Sequence, residues 1–196
     1  MIMLSILAKR MSSFFIRHGM VKEENREIYD YSFEILISSI VNLGMILILS
    51  IVFHSFLNTC FFLLSFSLMR ANTGGYHANT HWACILTLGM VYVLYLFGLK
   101  LILPHLLIYI IPTMCFVEIV LILWLAPIED SHKKLNKEEM VKFRKRSVFI
   151  LIVLEVCVLV TVIMKEMEWG YSITFGILSV SLSLLVEKIK QKKGVS

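Results

Sequence analysis

The chain has 196 residues, 58% of them hydrophobic and only 17% charged, with a mean hydropathy of +0.82 and a formal net charge of +5. That balance excludes an ordinary soluble domain, in which about a quarter of residues are charged, and it marks an integral membrane protein. The surplus of positive charge does not indicate nucleic-acid binding: the basic residues fill short gaps between apolar runs rather than one face of a soluble module, so no nucleic acid is expected as a partner.

In chain order, the apolar stretch at 1–7 is too short for a cleavable signal, and basic residues follow rather than precede it. Over residues 1–18 a helix would gather Leu4, Leu7, Met11 and Phe15 on one face and Arg10, Ser13 and Arg17 opposite, with Ile6 and Ile16 blurring the division. Such a segment reads either as an amphipathic helix lying in the membrane surface, with lipids as its partner, or as a basic topology signal.

Apolar runs then follow at 31–53, 55–69, 82–103, 105–126, 148–164 and 171–186. A helix crossing the membrane needs about 20 mostly apolar residues. Six membrane segments are therefore expected, the second and last short enough to be partial or re-entrant, with four full spans and two partial ones as the alternative. The predicted fold class is an all-α, polytopic membrane helical bundle forming a single membrane domain over 1–196. Within it, 1–30 forms an interfacial N-terminal segment, 31–126 holds four membrane segments, 127–147 is a basic loop, 148–186 holds two more segments and 187–196 is a basic tail.

Lysine and arginine are retained on the cytoplasmic side of short loops. If six segments alternate, seventeen of the nineteen basic residues fall on one face and only Lys100 and Lys165 on the other. This places both termini, the basic loop and residues 70–84 on the cytoplasmic side of a bacterial membrane. The loop IEDSHKKLNKEEMVKFRKRS at 128–147 suits anionic headgroups or an acidic partner, although retention of positive charge accounts for most of its composition.

Four cysteines, Cys60, Cys84, Cys115 and Cys157, are widely spaced with no CxxC pair. Three lie inside apolar runs and read as small hydrophobes. Cys84 differs, because it closes the polar run RANTGGYHANTHWAC at 70–84.

This run has three readings. As a plain connection, the glycines supply a turn and the histidines sit at headgroup level. As a nucleophilic site, His77 withdraws the proton of Cys84 and stabilises the thiolate. Seven residues on a continuous helix span about 10.5 Å along the axis, so this reading requires a helix that starts after His77. As a metal face, a continuous helix would align His77, His81 and Cys84 at i, i+4 and i+7, but no fourth ligand or adjacent carboxylate accompanies them. There is no P-loop and no HExxH helix.

The pattern RxxxGGxHxxxxxxC, formed by Arg70, Gly74, Gly75, His77 and Cys84 between two membrane segments, closely resembles the AgrB family of accessory gene regulator membrane endopeptidases. The likeness runs through essentially the whole chain: a basic N-terminus, the segment order and a basic loop introduced by Ala126-Pro127. The resemblance implies that His77 and Cys84 are the catalytic pair and that Arg70 and Gly75 belong to the site, with Gly74 in the same turn. It also implies a homodimer and, as substrate, an AgrD-like quorum-sensing propeptide with a cysteine-containing core and an acidic tail; no cofactor and no metal are expected. His81 is not part of the family pattern.

Intramembrane charges are costly and usually paired. Glu34, just inside the first segment, is therefore expected either to pair with Arg70 and brace the site or to reach the interface alone. Glu118 and Glu155 fall at a common depth, where a proton-sharing or helix-contact role is conceivable. The rival class is a non-enzymatic transporter or scaffold, to which these three glutamates would contribute.

Overall fold

The computed structural model describes residues 2–20, 22–74, 81–102, 104–128 and 136–192. Among them are seven α-helices, one 3-10 turn at Glu23–Asn25 and no strand: α1 (Ile2–Arg17), α2 (Arg26–Val52), α3 (Phe56–Thr73), α4 (His81–Leu101), α5 (Pro104–Leu125), α6 (Lys137–Ile163) and α7 (Met167–Lys192). Each of the six predicted segments coincides with one of α2 to α7, and the all-α membrane fold is what the composition requires.

Among the described residues four helices are long and apolar enough to cross a membrane: residues 23–52, α5, α6 and α7. In α4 the apolar stretch counted is the shorter 85–101. The 18-residue α3 carries Asn58, Thr59, Ser65, Ser67, Arg70, Asn72 and Thr73 among its apolar residues. The last segment, expected at 171–186 and short, lies within a 26-residue helix. Hydropathy locates the apolar window, whereas the helix continues through polar ends, and Lys190 and Lys192 in its last turn complement the helix dipole. The predicted loop at 127–147 is likewise shortened, because α6 opens at Lys137. There the Asn136 N–H donates to Glu139 Oε2 at 3.1 Å, the glutamate half of a capping box, and Glu138 and Glu139 both sit in the positive first turn.

The chain divides into two compact units. One holds α1, α2 and α4 as far as Tyr92; the other holds α3, the rest of α4, α5, α6 and α7.

In the first unit α1 packs against α2. Its buried positions are the small residues Ala8 and Ser12, and Phe15 stacks on Phe33 with ring centroids 5.4 Å apart. Ile6, Leu7 and Phe14 are exposed. Small side chains bring two helices close, while lipid accepts the large ones. Ser12 Oγ donates to Asp30, and Arg26 bridges Ser13 Oγ at 2.8 Å and Glu23 at 2.5 Å.

In the second unit α7 is the central helix, packed on α3, α5 and α6. Gly176 permits the closest seam: a Cβ there would lie 2.7 Å from the Phe62 carbonyl oxygen and 3.1 Å from the Phe66 nitrogen. Around this seam Phe62 stacks on Tyr95 at 4.7 Å, Tyr95 stacks on Tyr171 at 6.0 Å, and Tyr95 Oη shares a 2.8 Å hydrogen bond with Ser172. The polar end of the buried Tyr95 thus finds a partner where water is absent. Outward, Trp124, Phe116 and Ile163 are exposed, which suits a hydrocarbon surrounding better than water.

Candidate active site

The motif straddles the junction of α3 and α4. Arg70 lies in the last turn of α3 and Gly74 is its C-cap. The described part of α4 opens at His81, so Cys84 falls in its first described turn, immediately before the buried Ile85. Gly75 and His77 lie outside the described residues, as do the side chains of His81 and Cys84; the expected approach of His77 to Cys84 lies there too. Arg70 and Gly74 belong to the second unit, Glu34 and Cys84 to the first. Glu34 is half-buried on α2.

The end of α3 is described in full, and three chain segments hold it. Gly74 has φ +74° and ψ −146°, in a region that side chains disfavour, and a Cβ on it would stand 2.7 Å from the Ile128 carbonyl oxygen. Glycine is therefore required twice over, by torsion and by space. The Ile128 N–H donates to the Thr73 carbonyl at 3.1 Å, and Ser147 Oγ, from α6, contacts the Asn72 carbonyl at 2.9 Å and the Phe143 carbonyl at 2.9 Å. The last carbonyls of a helix have no partner within it; here two of them are met by the segment leaving α5 and by α6.

Arg70 is fixed from α7. Its Nη1 donates to Ser183 Oγ at 3.0 Å, while that hydroxyl donates to the Val180 carbonyl at 2.8 Å. A half-buried guanidinium at a helix C-terminus, where the dipole favours a cation, presents a positive charge of defined position.

Sequence reading identified Arg70 and the glycines but not Thr73, Ile128 or Ser147, whose contacts are made to backbone carbonyls and leave no compositional mark. It also treated Cys115 as a small hydrophobe. In the second unit Cys115, Glu118 and Glu155 have their ligand atoms within 4.8 Å of one another. The available signal was the spacing of Cys115 and Glu118, three apart and hence on one helix face.

A family model described as Accessory gene regulator B matches residues 8–184, a range that contains the whole motif. Protein FsrB of Enterococcus faecalis (strain ATCC 47077 / OG1RF) is 31% identical over 130 residues, 65% of this chain and 52% of FsrB, so the match spans about half the length of that relative. No solved structure matches the chain. A helical membrane fold and a family match running through the chain from α1 to α7 agree with the pattern formed by Arg70, Gly74, Gly75, His77 and Cys84, and the chain belongs to the accessory gene regulator B family of quorum-sensing proteins.

Proposed function

We propose that the chain is a membrane cysteine endopeptidase that removes the C-terminal tail of a signal propeptide and promotes closure of the remaining core into a thiolactone. The observation that carries this reading is the family match across residues 8–184, which includes the motif whose Arg70 and Gly74 are fixed at the end of α3.

His77 takes the Cys84 proton, and the thiolate attacks the carbonyl carbon joining core to tail. The carbon–nitrogen bond breaks, the leaving amine receives the proton held by His77, and the core remains as an acyl thioester on Cys84. Attack by the core's own cysteine thiol forms the thiolactone and returns a proton to Cys84. This second exchange is nearly energy-neutral, since one thioester replaces another. The first step replaces an amide by a thioester and runs uphill, so departure of the tail draws it forward. A water-poor site favours the peptide thiol over hydrolysis through proximity and exclusion. Arg70 places a fixed cation beside the site, and a Glu34–Arg70 ion pair braces it.

Six membrane segments, both termini and the site on the cytoplasmic side, and a homodimer complete the proposal; the distribution of basic residues supports the orientation.

The test is purified protein with an acidic-tailed, cysteine-containing propeptide. Cys84→Ala should abolish tail release, by at least ~10³-fold, and the wild type should yield a peptide thioester on Cys84 by mass spectrometry. Retained cleavage in Cys84→Ala sinks the nucleophile assignment. For the brace, Glu34→Arg with Arg70→Glu should recover part of the activity that either change alone removes, and a double variant as inactive as the singles counts against the pair.

A further inference from the structure

Cys115 and Glu118 project from one face of α5, Glu155 comes from the middle of α6, and their ligand atoms lie within 4.8 Å of one another. Thr174 of α7 stands alongside, its Oγ1 4.0 Å from Cys115 Sγ. The Thr174 hydroxyl already donates to the Gly170 carbonyl at 2.8 Å, so it offers the cluster a lone pair rather than a proton. Glu118 is fully buried, and both its carboxylate oxygens, together with Glu155 Oε1, are buried without a hydrogen-bond partner. Among the described residues no basic side chain pairs with either carboxylate. Three buried carboxylate oxygens without a partner inside a membrane helix bundle are costly, and something must compensate them.

We propose that Cys115, Glu118 and Glu155 form an intramembrane binding site for a divalent cation of the Zn²⁺ class. The donor set selects it. Ca²⁺ takes six to eight oxygens and Mg²⁺ a near-ideal octahedron of them, which one sulfur and two carboxyl groups cannot supply. Soft Cu(I) prefers sulfur-rich sites. Zn²⁺ accepts sulfur and carboxylate oxygen together in a four-coordinate site. Any two of the three donors, ionised, neutralise the dication, so no net charge is left in the hydrocarbon. Metal–ligand distances of 2.0–2.3 Å imply ligands ~3.3–3.7 Å apart in a tetrahedron, so the observed spacing closes by about 1 Å, within reach of small side-chain rotations. The fourth position falls to water, held by the Thr174 lone pair. Both α5 and α6 pack more extensively on α7 than on each other; the ion bridges them directly. The site is separate in sequence from His77 and Cys84 and does not rest on their chemistry.

The experiment uses the full chain in lipid nanodiscs, stripped by chelating resin and then titrated with Zn²⁺ or Co²⁺. Expected are one metal ion per chain, retained in Cys84→Ala, a sulfur-to-cobalt charge-transfer absorption that vanishes in Cys115→Ser, and affinity at least ~10-fold weaker in Glu118→Gln and Glu155→Gln. Cys115→Ser also guards against a folding artefact, since it removes the absorption while Co²⁺ still binds through the carboxylates. No stoichiometric metal in the wild type overturns the site. Binding that disappears in Cys84→Ala overturns it by moving the ion to the motif. A protonated-carboxyl infrared band that Glu118→Gln removes and added Zn²⁺ leaves unmoved overturns it in favour of glutamates that hold their own protons.

Discussion

The two units are held together by opposite means. In the first, α1 lies on α2 through Ala8, Ser12 and Phe15, with Ser12 bonded to Asp30 and Arg26 bridging Ser13 and Glu23, while large apolar side chains turn outward. In the second, α7 approaches α3 closely enough that Gly176 has no room for a Cβ, and rings from three helices stack around the seam. Polar tethers suit a helix pair that meets headgroups and water, where a hydrogen bond contributes about 1 kcal/mol net. Close backbone contact suits helices in hydrocarbon, where there is no hydrophobic force between them and packing must supply the attraction.

The largest disturbance should come from the second unit. Gly176→Val places a branched side chain against the Phe62 carbonyl and the Phe66 nitrogen, backbone atoms that cannot move aside. It should cost about 3 kcal/mol or more, read as loss of the monodisperse peak in detergent and a sharply lower melting temperature. Gly74→Ala meets both an unfavourable torsion and the Ile128 carbonyl; a loss of ~2 kcal/mol is expected, with lower propeptide cleavage at unchanged expression. If Gly74→Ala left both melting and cleavage unchanged, the fit at this helix end would be irrelevant to function. In the first unit Ser12→Ala removes the bond to Asp30 and should cost only roughly 1 kcal/mol, seen as faster proteolysis of the N-terminal helix while the melting temperature of the rest holds. A Ser12→Ala effect as large as that of Gly176→Val would abolish the contrast between the units.

The same contrast explains what could be read from the sequence. Six apolar runs announced α2 to α7, because each helix carries a continuous apolar window. Helix ends were less legible: α6 begins at Lys137, ahead of its apolar window, since Asn136 and Glu139 cap it, and α7 continues through charged residues to Lys192. On α1 the large apolar residues Ile6, Leu7 and Phe14 are exposed, as a helix lying in the membrane surface allows. The motif was visible because Arg70, Gly74, Gly75, His77 and Cys84 fall within fifteen residues. Its clasp was not, since Thr73, Ile128 and Ser147 come from three segments and act largely through main-chain groups. Cys115, Glu118 and Glu155 were scattered over two helices, and only packing reveals them as neighbours.

The clasp on α3 also sets an order of events during synthesis. The Asn72 carbonyl waits for Ser147, 75 residues later in the chain, and at about 5–20 residues per second that is a delay of roughly 4 to 15 s, longer by the time needed to thread α6 into the bilayer. Before then the end of α3 can gain at most the Ile128 contact, and the Ser183 contact that fixes Arg70 comes later still. A nascent chain therefore carries its motif well before it carries the framework that shapes it, so maturation of this end of the molecule is timed by the ribosome rather than by the motif's own residues.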